Sequence, residues 1–281
     1  MKPKVKSPLS EEVLYVKKLL RKFNLHTVCE EASCPNIGEC FSRKTATFMI
    51  MGDTCTRNCP YCDVSHGKPK PLDPFEPENI AKAVKKLRLR HVVITSVNRD
   101  DLPDGGASHF ASVVEKIREE LPSCTIEVLI PDFQGDWNAL KTVVDSKPDV
   151  INHNIETVPS LYKKVRHRGN YQLSLELIKK IKELDSNIVS KSGIMVGLGE
   201  TKEEVINVME DLINHNCEIL TIGQYLRPSK NHLPVEKYYT DEEFKELEKI
   251  GYELGFKEVY SGKLVRSSYH ADEVFDKIKM L

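Results

Sequence analysis

Charge of one sign is what this chain has least of. Its 41 Lys and Arg stand against 42 Asp and Glu, a formal net charge of −1 over 281 residues. A neutral balance with no dense basic stretch gives a nucleic acid no electrostatic footprint, so no nucleic-acid partner is expected. No run of about 18 apolar residues occurs, so no membrane span is expected either. The opening Met1–Lys6 is basic but has no apolar segment behind it, and Glu11 and Glu12 follow. That argues against a secretory or transit segment and for a cytoplasmic protein. Low-complexity tracts are missing, as is any internal repeat beyond alternating strands and helices. What remains, 40% hydrophobic and 30% charged, is an ordinary globular composition. It is long enough for one large α/β domain with short extensions.

Cysteine is present but not in the distribution of a disulfide scaffold. Six of the eight fall between Cys29 and Cys62, while Cys124 and Cys217 stand alone at the starts of expected strands. Those two read as buried structural thiols. A chain of this size does not need disulfides to fold, so clustered thiols point to metal. Residues Cys55, Cys59 and Cys62 follow the pattern CxxxCx(aromatic)C, with Tyr61 as the aromatic. Three thiolates on one tight loop can ligate three irons of a 4Fe–4S cube. No fourth cysteine follows at short spacing, which leaves one iron open for a small ligand. The alternative is a zinc loop, although zinc knuckles usually repeat CxxC or add His. Ahead of this motif lie Cys29, Cys34 and Cys40, spaced CxxxxCxxxxxC and again without a local fourth. Pro35, Asn36 and Gly38 predict a turn-rich loop there. It reads as a second 4Fe–4S site with one ligand from elsewhere, or as a three-cysteine zinc site.

The rest of the chain alternates two periods. Residues 8–24 form an amphipathic helix behind Ser10, with Lys17, Lys18, Arg21 and Lys22 on a solvated face or a docking face for an acidic partner. Apolar, β-branched runs at 45–51, 91–97, 125–130, 150–155, 188–196 and 218–224 read as strands buried on both faces. Helical stretches at 77–88, 107–121, 137–145, 171–184 and 202–214 separate them. Strand–helix repetition implies right-handed βαβ units and a parallel sheet. Six such strands fit a partial (βα)6 barrel or a doubly wound open sheet. In both, the ligand end lies at the strand C-termini. The polar stretches Asn98–Gly106, Asn152–Thr157, Val196–Glu200 and Gln224–Pro228 all fall there. Residues 231–281 leave the repeat, with a helix, a strand and a short terminal helix.

CxxxCx(aromatic)C resembles the signature of radical S-adenosylmethionine (SAM) enzymes. Within them, the chain is similar to the lipoyl synthase family. The resemblance rests on Cys29–Cys40, Cys55–Cys62, Thr95–Gly106, Asn152–Thr157 and the ending Arg266-Ser267-Ser268-Tyr269-His270-Ala271, in that order. It implies an α/β fold, a partial (βα)6 TIM-like barrel closed by N- and C-terminal extensions. Residues 1–44 would carry the first cysteine group, 45–230 the barrel and 231–281 the C-terminal extension. It implies insertion of two sulfur atoms into the octanoyl chain of an octanoyl-lysine on a carrier protein, using two 4Fe–4S clusters and two SAM per lipoyl group. Cys55, Cys59 and Cys62 would bind the SAM cluster. Cys29, Cys34 and Cys40, with Ser268 or alternatively Ser267, would bind an auxiliary cluster that is the sulfur source. Tyr61, Asn152, Asn154, Glu156, Gly197 and Gly199 would contact SAM, unless Glu156 caps the next helix. Implied partners are octanoylated lipoyl-carrier domains (2-oxoacid dehydrogenase acyltransferase subunits, glycine-cleavage H protein), a reductant such as ferredoxin or flavodoxin, and an iron–sulfur carrier. A biotin-synthase-like sulfur-inserting enzyme shares CxxxCxxC but not the Cys29–Cys40 group. A metal-binding regulator of nucleic acid is disfavoured by the charge balance.

Overall fold

The computed structural model describes residue 5 and residues 7–279. Apart from Val5, the basic opening stretch lies outside them. The chain divides into two compact units. The first runs to Asn58 and resumes at Asp63–Asp149; the second holds Cys59–Cys62 and everything from Val150.

In the first unit, α1 (Glu11–Lys22) starts as expected at Ser10, whose Oγ accepts the Val13 N–H at 3.4 Å. Val13, Val16, Leu19 and Leu20 form its buried face. The first cysteine group is not the expected loop. Cys29 lies on α2 (Val28–Glu31) and Cys40 on α3 (Ile37–Ser42), with only Cys34 between helices. Thr27 Oγ1 starts α2 by accepting the Glu30 N–H at 3.3 Å. Pro35 precedes α3, where no helical hydrogen bond is lost. Gly38 is buried within α3 rather than ending it. A two-residue strand, β1 (His26–Thr27), pairs antiparallel with β2 (Thr47–Ile50). Two residues carry no periodic signal, so this pairing was not legible. β2, β3 (His91–Ser96) and β4 (Thr125–Leu129) run parallel in chain order. Helices α4 (Glu76–Leu87), α5 (Ala107–Glu120) and α6 (Trp137–Asp145) follow β2, β3 and β4 respectively. Every residue of β2 is buried, as its unbroken apolar run requires.

In the second unit, β5 (Val150–Asn152), β6 (Val189–Val196), β7 (Ile219–Gln224) and β8 (Glu258–Gly262) are parallel in chain order. Helices α7 (Tyr162–Val165), α8 (Tyr171–Leu184), α9 (Lys202–Asn214) and α10 (Asp241–Leu254) lie between them, and α11 (Ala271–Lys279) follows. Thr201 and Glu204 form the expected start of α9, a full capping box. The six expected strands are β2–β7. Residues 231–281 do not simply leave the repeat, because α10 and β8 add another helix–strand step beside β7. Thr240 opens α10 with a capping box to Glu243, and Gly255 ends it at φ 106°. That glycine turns the chain back toward the sheet, since a left-handed residue there is cheap only without a Cβ. The core of this unit packs Ile178, Val205, Leu212, Leu220, Phe244 and Val259. Cys124 and Cys217 are both buried, as expected. Burial pushes the Cys124 thiol up to about 11. Among the described residues no helix is long and apolar enough to cross a membrane.

Gly223 on β7 admits the C-terminal segment. A Cβ there would lie 2.2 Å from the Val265 carbonyl oxygen, and the Val265 N–H donates to Gly262 O at 3.1 Å. We predict that Gly223→Ala costs about 1–3 kcal/mol of stability in urea unfolding, the usual range for overpacking. Amide exchange should quicken over residues 262–269 and not along β6. Unchanged exchange at 262–269 would refute this.

Candidate metal and cofactor sites

Cys55 follows β2 after Met51 and Gly52, both at positive φ (68° and 91°). Its N–H donates to Ser65 O at 2.7 Å, and its carbonyl accepts from Gly67 at 2.9 Å. Its Sγ accepts two backbone N–H groups, from Arg57 and Asn98, each at 3.3 Å. The adjoining residues are held from the loop after β3. Thr56 donates from both N–H and Oγ1 to Asn98 O, each at 3.0 Å. Thr56 Oγ1 in turn accepts the Asp100 N–H at 3.1 Å. Arg57 is buried between two carboxylates, with Asp100 at 2.7 and 2.8 Å and Asp132 at 2.7 Å twice. Burial works against its charge, but Asp132 and then Asp100 outweigh it and hold the proton more tightly than usual. Arg57 and Asp132 were missed from sequence. Asp132 stands just past β4, where the strand-end rule would have found it.

In the second unit, the Cys62 N–H closes a turn onto Cys59 O at 3.0 Å. His232 Nε2 donates to Cys62 O at 3.1 Å, and the Leu233 N–H donates to Pro60 O at 3.1 Å. Tyr61 packs against Val165, Leu198 and Tyr225. Its hydroxyl meets Glu156, and burial followed by that carboxylate pushes the phenol far up. Asn154 Nδ2 reaches both Glu156 Oε1 at 3.2 Å and Ser267 Oγ at 3.4 Å. Tyr61, Asn154 and Glu156 are therefore brought together. Glu156 sits at φ 69°, a conformation costly for a residue with a Cβ. It does not cap a helix, because the next turn begins after Val158 without a side-chain cap. Two buried oxygens beside it, Asn154 Oδ1 and Thr157 Oγ1, have no hydrogen-bond partner. Asn152 is fully buried at the end of β5.

Gly197 and Gly199 have positive φ, 102° and 117°. The Gly197 N–H donates to Glu200 Oε1 at 2.5 Å, and its carbonyl accepts from Glu236 at 2.9 Å. A Cβ on Gly197 would meet Gln224 Nε2 at 2.2 Å, so close packing demands glycine there. Ser268 lies in the turn before α11. That helix starts at Ala271, so its capping position is His270, two residues beyond Ser268.

Cys29, Cys34 and Cys40 stand outside any disulfide, like the other five. Burial, then the neighbouring Cys34, pushes the Cys29 thiol far up. The same two causes take Cys40 up to about 12. The backbone pins them: the Cys34 N–H donates to Cys29 O at 3.1 Å and the Cys40 N–H to Asn36 O at 2.9 Å. Among the described residues no three His, Cys, Asp or Glu side chains converge where a single metal ion could hold them together. A cube does not require that, because each thiolate takes a separate iron.

The radical SAM superfamily profile matches residues 49–212 of this chain. A lipoyl synthase of Caldanaerobacter subterraneus subsp. tengcongensis is 61% identical over 264 residues, 94% of this chain and 93% of that protein. A lipoyl synthase of Pseudomonas entomophila is 55% identical over 278 residues, 99% of this chain and 82% of that protein. The chain belongs to the lipoyl synthase family. Among solved structures, methylornithine synthase superposes with a TM-score of 0.57 at 14% identity, covering 87% of this chain and 74% of that one. A maturase of FeFe-hydrogenase gives a TM-score of 0.58 at 14% identity, covering 82% of this chain and 61% of that one. At such identities these likenesses concern the fold alone, the α/β partial (βα)6 barrel.

The superfamily uses a 4Fe–4S cluster and SAM, and the residues fit both. Cys55 Sγ already accepts two backbone N–H groups, the kind of contact that tunes a cluster's sulfur ligands. Cys29 and Cys40 are desolvated thiols, each with the charge of Cys34 beside it, which only a bound cation would ionise. The unpartnered oxygens of Asn154 and Thr157 suit a polar ligand.

Burial holds the Glu156 carboxyl above its ordinary 4.5, against Arg166, Asn154 and Tyr61, which pull it down. A carboxyl raised on folding contributes most stability at acid pH and loses it as pH rises from about 4.5. In the cofactor-free protein, Glu156→Gln should therefore raise the thermal midpoint at pH 8, with the gain vanishing toward pH 4. An equal or lower midpoint at pH 8 would show that Arg166 outweighs burial.

Proposed function

We propose a residue-level reading of the activity that family membership gives: radical-mediated insertion of two sulfur atoms into the octanoyl chain of a protein-bound octanoyl-lysine, yielding the lipoyl cofactor. Residues 1–44 carry the auxiliary-cluster cysteines, 45–230 the radical SAM barrel and 231–281 the Arg-Ser-Ser-Tyr-His-Ala turn. Cys55, Cys59 and Cys62 hold the SAM-binding 4Fe–4S cluster. Cys29, Cys34, Cys40 and the Ser268 oxygen hold a second, which is the sulfur source. The observation that carries this reading is two separate three-cysteine segments, none of them in a disulfide, in one chain.

When bound, the SAM cluster supplies a 5′-deoxyadenosyl radical, which is needed because no side-chain base can deprotonate an alkane carbon. The chain's own residues do the holding. Tyr61, packed against Leu198 and Tyr225, offers an apolar face for adenine. Glu156, Asn154 and Asn152 offer polar groups to the rest of SAM. Gly197 and Gly199 let the backbone approach closely, with the Gly197 N–H steered by Glu200. Ser267 Oγ, held by Asn154, anchors the turn that presents Ser268. Two SAM are consumed per lipoyl group, one for each sulfur. The substrates are octanoylated lipoyl-carrier domains, and the other partners are a reductant such as ferredoxin or flavodoxin and an iron–sulfur carrier. A biotin-synthase-like reading leaves the Cys29–Cys40 helices and the serine turn without a task.

The roles separate by mutation. Wild type should take up about eight irons on anaerobic reconstitution, and Cys34→Ala about four. Cys34→Ala should still release 5′-deoxyadenosine in the presence of reductant but yield no dithiol on an octanoyl-lysine peptide. Cys59→Ala should abolish both. Dithiol from Cys34→Ala would end the auxiliary-cluster assignment.

For Ser268, a ligating oxygen and a structural hydroxyl differ in outcome. Ser268→Ala should keep SAM cleavage and lower dithiol yield, whereas loss of a merely structural hydroxyl costs roughly 1 kcal/mol of stability and no chemistry. Ser268→Cys should keep the cluster and slow sulfur release, since a fourth thiolate is a softer, better-matched ligand. Wild-type yield from both variants would exclude Ser268, and a defect confined to Ser267→Ala would move the ligand one residue earlier.

A further inference from the structure

We infer that Arg57 is a positioning residue for the SAM-binding cluster: clamped by Asp100 and Asp132, it fixes Cys55 together with the two N–H groups on its Sγ, and thereby sets that cluster's reduction potential. The inference rests on Cys55 being a cluster ligand.

Arg57 does not have the surroundings of a substrate-binding arginine. Its side chain is only 5% exposed, and Asp132 only 3%. Four of its five N–H groups are spent on the two carboxylates, from Nε and Nη2 to Asp100 and from Nη1 and Nη2 to Asp132. A buried ion triad of this kind is a poor source of stability, because desolvation consumes most of the attraction. What it secures is geometry. The connections close a ring: Arg57 to Asp100, the Asp100 N–H to Thr56 Oγ1, Thr56 to Asn98 O, and the N–H groups of Asn98 and Arg57 to Cys55 Sγ. Neither amide can leave the sulfur while the clamp holds. Iron–sulfur potentials depend on hydrogen bonds to sulfur and on local charge. N–H donors favour the more negative, reduced cluster, so loosening them lowers the potential.

Charge and geometry predict opposite results. Arg57→Lys keeps the charge but loses the planar fork. Asp100→Asn removes one negative charge, and its carboxylate is 23% exposed, so the variant should tolerate the change. If charge alone mattered, Arg57→Lys would leave the potential unchanged and Asp100→Asn would raise it. The clamp predicts that both lower it.

The test uses the fully reconstituted chain, with iron and sulfide measured first. The electron paramagnetic resonance signal that changes on adding SAM identifies the cluster, and that signal is followed in a redox titration. Both variants should show a reduction equilibrium about tenfold less favourable, a fall of about 59 mV for one electron, at wild-type iron content. SAM cleavage should then slow in kcat and not in KM under a weak reductant, and recover under a stronger one. A wild-type or raised potential in Asp100→Asn at full iron overturns the inference, whatever Arg57→Lys does. Loss of iron without any change in the potential of the remaining cluster also overturns it. A wild-type chain with no SAM-responsive signal would instead refute the cluster assignment beneath it.

Discussion

A thiolate in a protein interior needs a positive charge or hydrogen-bond donors to balance it. Cys29 and Cys40 have burial and the charge of Cys34 against ionisation, so as thiols they are inert. Only a bound cation would ionise them. Cys55 differs from them in accepting backbone N–H groups from Arg57 and Asn98. The surrounding loops position those donors. The segment after β2 turns through two positive φ angles to bring Cys55 beneath those amides, and the polar loop after β3 supplies one of them.

Polar groups at the strand ends are expensive for the same reason, since each must exchange water for a partner. Some of the cost is met within the protein, as when Glu200 receives the amides of Gly197 and Leu198. Some is left open. Asn154 Oδ1 and Thr157 Oγ1 have no partner, and Glu156 keeps a left-handed backbone beside them. Strain and unsatisfied polarity in one short stretch are the features expected of a candidate ligand site.

Much of this was legible in the sequence. The strands β2–β7 announced themselves because segments buried on both faces must be continuously apolar. The caps Ser10 and Thr201 were legible because capping is local chemistry. The cysteine triplets were legible because their spacing is itself the signal. The helices α2 and α3 were not, because Pro35 and Gly38 suggest breaks whose effect depends on position within the helix. Nor was β8 placed in the repeat, since its pairing with β7 depends on where α10 ends.

By itself the sequence determined the alternating α/β pattern and the two cysteine triplets, because both rest on periodicity or spacing along the chain, while the barrel, the family and Ser268 came from the motif resemblance. Only the tertiary structure decided which polar groups meet. Arg57 lies 75 residues from Asp132, and Asn154 lies 113 from Ser267. No periodicity spans such separations. These pairs exist because parallel strands within each unit deliver their C-terminal loops to the same end, where distant side chains become neighbours.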